Sequence, residues 1–350
     1  MKKSARENEM SVEKQTTQQI EVSRLSKFVN DIGIYGIVLL FIVLGVVLET
    51  TGVIKGFMSI RNMMNIIDAV AILGIAAVGL SFVPYSGSFN DMSIPTTMAL
   101  TGIVAIQMLK YGFVVSLISA LVVGIIIGSI NGLTVGKLGV NPVIWTLAIN
   151  YVTMGVIRLV WVNKQIYPDM MGASEQSIRL FDDIFRYRVF GVVGLPVVVL
   201  IVMVIIAQLV LSKTVFGFQI KFTGSSKLTA KLSGINVNKI VVIAFILSSL
   251  AATISGLMIT SLGRVGAWYN GSGYDFKAMT AVVIGGTSLA GGRGSVIGVL
   301  GGAIVMGVMS NIMTLLGIGT FSQDMISGAI FILVVGINAK TLRNLGRDYA

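Results

Sequence analysis

Ten times along this 350-residue chain a run of apolar residues recurs at close to the length of a bilayer crossing. The runs are Ile32–Leu48, Met63–Val83, Thr96–Leu109, Phe113–Ile130, Val143–Val160, Val189–Leu211, Ile240–Leu262, Ala278–Ala290, Val296–Leu316 and Met325–Ile337. About twenty apolar residues cross the hydrocarbon layer as a helix. No water there serves backbone N–H and C=O groups, so such runs must satisfy their hydrogen bonds internally. The pattern predicts an all-α fold, a polytopic transmembrane helical bundle of about ten spans. The third and eighth runs are short and mark one or two broken helices.

Charge orients the bundle. Only 12% of residues are charged, against about 25% in soluble domains. The net charge of +11 falls in short segments between apolar runs, which positive-inside topology explains better than nucleic-acid binding. Ser212–Lys239 carries Lys213, Lys221, Lys227, Lys231 and Lys239 and no acid, and Lys340, Arg343 and Arg347 follow the last run. Residues 1–31 read as a mixed-charge cytoplasmic tail, polar throughout and without a cleavable signal. Six crossings then return the chain inside at residues 212–239, and ten leave the tail 339–350 inside. Asn163–Arg188, which mixes Asp169, Glu175, Asp182 and Asp183 with Lys164, Arg179, Arg186 and Arg188, faces outward. The chain is predicted to be one membrane unit, 32–338, in the cell membrane with both termini cytoplasmic.

Cysteine and histidine are both absent. That removes disulfides, thiolate nucleophiles and imidazole chemistry, and no metal site or catalytic residue is predicted. No G-x-x-x-x-G-K-[ST] loop is present, so the chain is expected to bind no ATP-Mg and no other cofactor itself. An ion-coupled transporter needs carboxylates or basic relays within its spans. The apolar runs and their edges offer only Asp68, Arg158 and Asp324, each near an end.

Three segments break the apolar pattern informatively. Ala281–Gly302 carries glycine at 285, 286, 291, 292, 294, 298, 301 and 302, a density that costs a helix interior roughly 1 kcal/mol per residue. It suits a turned backbone inside the bundle or a close helix–helix seam, with the Thr287 and Ser288 hydroxyls placed to serve freed backbone groups. Asp91 lies beside Asn90 and Ser93 between two apolar runs. It either faces a translocation path or caps the third helix in an interfacial loop. In Phe222–Gly234, a serine at 225 or 226 can cap a short helix and Gly234 suits its left-handed exit. Leu228 and Leu232 then share one face. This is either a docking surface for a partner or a solvated basic loop near lipid headgroups. Asn150 sits within a span, as a cavity group or a helix–helix bond. Trp145, Tyr151, Trp268 and Tyr269 are candidates for a solute path or interfacial anchors.

The run Gly285-Gly286-Thr287-Ser288-Leu289-Ala290-Gly291-Gly292-Arg293-Gly294 resembles the C-terminal signature of sugar-type ABC importer permeases, the ribose/xylose/galactoside group. Ala230, Leu232, Ser233, Gly234 and Ile235 match that group's coupling helix, where Lys231 replaces an arginine and Lys227 stands at a usually acidic position. Asp91 and Ser93 match a Gly-Gly-Ile-Asp-Leu-Ser-type motif, with Ser88 and Phe89 in place of its glycines and Pro95 where glycine is usual. Asn131-Gly132-Leu133 with Lys137-Leu138-Gly139-Val140 and Pro142, and Ser212–Gly217, extend the likeness, which runs from about Asn62 to Ile337.

The resemblance implies a permease subunit that translocates a sugar or sugar-like solute delivered by an extracytoplasmic binding protein. Cytoplasmic ABC ATPase subunits hydrolyse the ATP, and a second permease copy or paralogue completes the pore within the lipid bilayer. Ser226, Lys227, Thr229, Ala230, Lys231, Leu232, Ser233, Gly234 and Ile235 are the implied ATPase-coupling residues. Asp91, Ser93, Asn90, Asn150, Gly285, Gly286, Thr287 and Ser288 are the candidates for the translocation path. Permeases for autoinducer-2, polyols or nucleosides are the nearest alternatives, and an ion-coupled secondary transporter the more distant one.

Overall fold

A computed structural model describes residues 36–161, 164–189, 191 and 193–344, with side chains to residue 336. The tail 1–31, the start of the first run and residues 345–350 lie outside the described residues. The helices are α1 (Gly36–Thr50), α2 (Ile60–Tyr85), α3 (Ile94–Met108), α4 (Phe113–Leu138), α5 (Pro142–Trp161), α6 (Glu175–Arg186), α7 (Leu195–Lys213), α8 (Val215–Ser225), α9 (Lys227–Leu232), α10 (Val237–Gly263), α11 (Tyr274–Ile284), α12 (Val296–Leu315) and α13 (Thr320–Asn344). The one sheet among the described residues is a hairpin of β1 (Arg188–Val189) and β2 (Val193–Gly194). Six of the helices are long and apolar enough to cross a membrane. With α1, α3, α11 and α13, every one of the ten apolar runs contains a helix. The protein is an all-α, multi-pass membrane bundle.

The centre is built from α2 and α10, and small residues bring their neighbours close. Gly79 of α2 faces Ala251, and a Cβ there would stand 3.0 Å from the Leu247 carbonyl oxygen. Gly124, Gly128 and Gly132 of α4 lie one turn apart along α10, where a Cβ at Gly128 would be 2.8 Å from the Ile246 Cα. Lipid gives apolar helices little reason to associate, so close backbone packing of this kind supplies the attraction. The outer helices keep their apolar side chains exposed, as at Leu159, Ile205 and Ile332, as a lipid-facing surface requires.

The end of the bundle remote from α8 and α9 carries α6 and the β1–β2 hairpin. Ser174 caps α6 by accepting from the Ser177 amide. Ser261 Oγ at the end of α10 donates to the Phe181 carbonyl at 2.8 Å. Arg264 pairs with Asp182 at 3.2 Å, and Arg188 pairs with the buried Asp68 at 2.8 Å.

Several boundaries differ from the sequence expectation. The helix of the sixth apolar run, α7, starts at Leu195, not Val189: Val189 and Val193 belong to a hairpin turned at Gly191, and Pro196 fixes the first helical turn. The eighth runs from Tyr274 to Ile284 and not from Ala278 to Ala290, because the glycines from 285 onward take the chain out of the helix. The fourth continues to Leu138, and the tenth covers Thr320–Asn344, so the expected tail at 339 begins inside a helix. Within the Glu49–Asn62 link, Ile54 and Phe57 are buried and Phe57 packs over Gly45.

Candidate functional site

Two interruptions of helix and one surface unit hold most of the residues singled out from sequence; Asn150 and the aromatic candidates lie on other elements. The first interruption is residues 86–93, between α2 and α3. Asp91 is fully buried. Its Oδ1 accepts from the Ser93 amide at 3.0 Å and the Ser93 hydroxyl at 2.6 Å, and its Oδ2 from the Ser248 hydroxyl at 3.0 Å. Ser248 lies near the middle of α10, so this carboxylate sits deep in the bundle and not in an interfacial loop. It does not cap α3 either: the N-cap is Ser93, which makes no side-chain cap bond. The Asp91 amide donates to Asn90 Oδ1 at 2.8 Å, and Asn131 of α4 donates to Ser93 Oγ at 2.8 Å. From α5, Thr146 Oγ1 accepts from the Met92 amide and Asn150 Oδ1 from Thr96 Oγ1, each at 2.8 Å. Non-helical backbone at this depth survives only where protein groups satisfy it: Asn90 and Asp91 serve the Asp91 and Ser93 amides, Thr146 of α5 serves the Met92 amide, and α4 and α10 hold the side chains that do so.

Of the candidates, Asp91, Ser93, Asn90 and Asn150 are therefore brought together. Ser248, Asn131 and Thr146 are the members that residue-by-residue reading did not assign.

The second interruption is residues 285–295, between α11 and α12, and it holds Gly285, Gly286, Thr287 and Ser288. Its backbone closes on itself: the Gly286 amide bonds the Val283 carbonyl, Thr287 that of Val282, Ser288 that of Arg293 and Gly291 that of Ser288. The expected service of Thr287 to freed backbone groups is not what it does; its hydroxyl donates to the Tyr85 hydroxyl at 3.5 Å. Glycine is needed for space: a Cβ at Gly285 would be 2.6 Å from the Gly298 backbone, and one at Gly302 would overlap the Ala281 carbonyl. Of these four residues, Thr287 meets the end of α2 and Gly285 meets α12, whereas the Asp91 cluster draws its partners from α4, α5 and α10.

The surface unit is α8 and α9. Ser226, not Ser225, caps α9, accepting from the Thr229 amide at 3.2 Å. Gly234 has φ +79°, with its amide bonded to the Lys231 carbonyl and the Ile235 amide to that of Ala230. This paired closure is the Schellman motif. Ala230 is fully buried and roots the helix, while Leu228 and Leu232 are 70% and 81% exposed. Lys227, Lys231, Ser233 and Gly234 surround them on the surface. Partial desolvation of the Lys227 ammonium lowers its pKa from the ordinary lysine value. α9 is capped at both ends and presents two leucines amid lysines. An exposed apolar patch with a polar rim suits contact with a partner protein or with the membrane surface.

The aromatic candidates separate. Trp268 lies under the Arg158 guanidinium at 4.5 Å and the Tyr269 hydroxyl bonds Gln165 at 2.8 Å, both at the far end. Tyr151 is exposed, and Trp145 packs on the core. Among the described residues no group of acids could hold a metal ion.

Residues 62–335 match the family described as branched-chain amino acid transport system / permease component. The ribose import permease protein RbsC of Escherichia coli (strain K12) is 32% identical over 291 residues, covering 81% of this chain and 87% of that protein. That of Haemophilus influenzae is 35% identical over 281 residues, 79% and 84% of the two chains. The fructose import permease protein FrcC of Rhizobium meliloti is 32% identical over 304 residues, 85% and 83%. No solved structure matches. A family match over most of the bundle, including both interruptions and the α8–α9 unit, leaves one assignment: the chain belongs to the branched-chain amino acid transport system / permease component family, as a multi-pass membrane permease.

Proposed function

We propose that the chain is the membrane subunit of an ATP-driven ABC importer for a sugar or sugar-like solute. The observation that carries this reading is the α9 unit, a doubly capped helix with exposed Leu228 and Leu232 in a chain related to ribose and fructose permeases. In this reading the α8–α9 end is cytoplasmic and Ser226–Ile235 docks on a partner ATPase. A binding protein delivers solute to the opposite end, around residues 164–194. A second permease subunit, copy or paralogue, completes the pore. The permease performs no bond chemistry. Its task is to alternate access while the partner hydrolyses ATP, and the two interruptions are the places where the bundle is not a set of continuous helices. The Asp91 cluster and the Gly285–Ser288 segment border the path in this account. Donors and acceptors such as Asn150 and Thr96 are of the kind that exchange hydrogen bonds with sugar hydroxyls.

The test is uptake of radiolabelled ribose and fructose into proteoliposomes containing the chain, its ATPase and its binding protein. Uptake that requires ATP and all three supports the reading. Uptake by this chain alone, driven by a proton or sodium gradient, overturns it in favour of a secondary transporter.

A further inference from the structure

Three backbones meet without a side chain between them where α2 ends, α8 ends and the glycine loop turns. Gly224, in the last turn of α8, is fully enclosed: a Cβ there would overlap the Tyr85 carbonyl and the Gly292 amide, and would be 2.9 Å from the Gly292 Cα. A Cβ at Gly291 would stand 2.5 Å from the Gly224 carbonyl oxygen and 2.9 Å from the Gly87 Cα. One at Gly292 would be 2.8 Å from the Lys221 carbonyl oxygen and overlap the Ser225 hydroxyl. One at Gly87 would be 3.2 Å from the Gly224 Cα. Gly87 opens the interruption that carries Asp91, and Gly291 and Gly292 belong to the other. Gly224 is two residues ahead of Ser226, the cap of α9.

We infer that Gly224, Gly87, Gly291 and Gly292 are positioning residues for coupled transport: a backbone-to-backbone junction through which displacement of α9 reaches both interruptions at once. Side-chain layers absorb small shifts by changing rotamer, whereas packed backbones have no such freedom and pass the shift on. A movement of α8 by a fraction of an ångström must therefore move Gly87 and the segment leading to Asp91. It must also move Gly292 and the turn that holds Thr287, which is itself bonded to Tyr85. The inference rests on the proposed docking of an ATPase at α9. It adds where the stroke enters the bundle and that it divides there.

The chain has no cysteine, so single thiols report alone. Ser88→Cys places one in the first interruption, where the Ser88 hydroxyl is buried and its replacement breaks no hydrogen bond. Ser288→Cys places one in the second. Each reporter chain, assembled with its ATPase and binding protein in proteoliposomes, is labelled with a fluorescent maleimide without nucleotide and after trapping with ATP and vanadate. Both reporters should change labelling rate between the two states. A methyl at Gly224 meets backbone as closely as one at Gly298 does, so the comparison is read on Gly224→Ala only where that chain assembles: the ATPase should then co-purify and hydrolyse ATP, but both rate changes should vanish together. Uptake per ATP hydrolysed should fall about tenfold, within the range by which substitutions along a coupling network act.

Gly87→Ala crowds the junction less, since its methyl would stand 3.2 Å from the Gly224 Cα and 3.4 Å from the Lys227 Cε, and to this it adds the strain of a side chain at φ +74°. It should weaken the response of Ser88→Cys more than that of Ser288→Cys, and it serves if Gly224→Ala does not assemble. Responses equal to the parent's in Gly224→Ala, or in Gly87→Ala where only that variant assembles, overturn the junction while leaving the docking intact. A parent chain that fails to bind the ATPase overturns the docking, and the junction with it.

Discussion

The two interruptions solve the same problem with opposite materials. Between α2 and α3 the backbone leaves the helix deep in the bundle and is held by side chains, with Asp91 accepting three hydrogen bonds and Asn131 and Thr146 reaching in from α4 and α5. Between α11 and α12 it is held by the absence of side chains, with Gly285 against Gly298 and Gly291 against Gly224. A polar clasp has intermediate states, because a bond can lengthen or be exchanged for another donor. Backbone contact has almost none. The difference predicts graded sensitivity to substitution at the first interruption and all-or-none sensitivity at the second.

The sharpest way to break this comparison is Gly298→Val. Its Cβ would overlap the Gly285 carbonyl oxygen, and neither backbone can withdraw without unpacking α11 from α12. Overpacking a well-packed core costs typically 1–3 kcal/mol even where flexible side chains yield, and here none is available. The expected result is loss of folded protein, read as disappearance of the monodisperse peak of detergent-solubilised material. Gly298→Val that purifies and transports normally would mean the seam is looser than described.

Asp91 should give intermediate results. Asp91→Ala leaves the Ser93 amide, the Ser93 hydroxyl and the Ser248 hydroxyl without an acceptor, at about 1–3 kcal/mol for each group that stays buried and unpaired. Asp91→Asn keeps one oxygen for Ser93 and offers its amide to Ser248, whose hydroxyl can accept. It should therefore melt within a few degrees of the parent, well above Asp91→Ala, in a thermal-shift assay. Transport by Asp91→Asn then separates two roles. Near-parental uptake means that the carboxylate is a clasp, whereas lost uptake at parental stability means that its charge is used on the path. Ser248→Ala removes one of the three bonds and should fall between the parent and Asp91→Ala.

Much of this was legible in the sequence. Hydropathy located all ten apolar helices, and the motif chemistry located α9, its serine cap and its glycine exit. Window hydropathy reads composition, however, and not where helical hydrogen bonds end. Val189 and Val193 therefore counted toward a span although Gly191, Gly194 and Pro196 were already there to start the helix later. The partners of Asp91 were not legible at all. A hydroxyl in an apolar helix usually bonds its own preceding turn, as Thr253 does to the Ser249 carbonyl at 2.8 Å. In sequence, Ser248 looks the same as that residue although it reaches across to another segment. Thr146 does both, donating to the Pro142 carbonyl and accepting from the Met92 amide. Only tertiary packing distinguishes these cases, and the same holds for which glycine meets which.

Gly234 separates the two costs that are combined at Gly291 and Gly292. Both of those glycines have a left-handed φ, +94° and +72°, and also have backbone within 3 Å of a Cβ position. Gly234 has φ +79° and nothing within 4 Å. Gly234→Val should therefore show the conformational penalty alone, roughly 1–2 kcal/mol, spent locally at the exit of α9. Because α9 is a single short helix rooted by Ala230, unfolding its last turn leaves the bundle intact. The expected outcome is an unchanged melting temperature and normal membrane insertion, with uptake lost and ATP hydrolysis no longer stimulated by solute and binding protein. Gly292→Val should fail to assemble at all, although its φ is no more extreme. If Gly234→Val destabilised the bundle as strongly as Gly292→Val, backbone conformation and not crowding would govern both sites, and the contrast between a clasped and a crowded interruption would lose its physical basis. ATP-coupled uptake at the parental rate in Gly234→Val would instead remove α9 from the coupling surface.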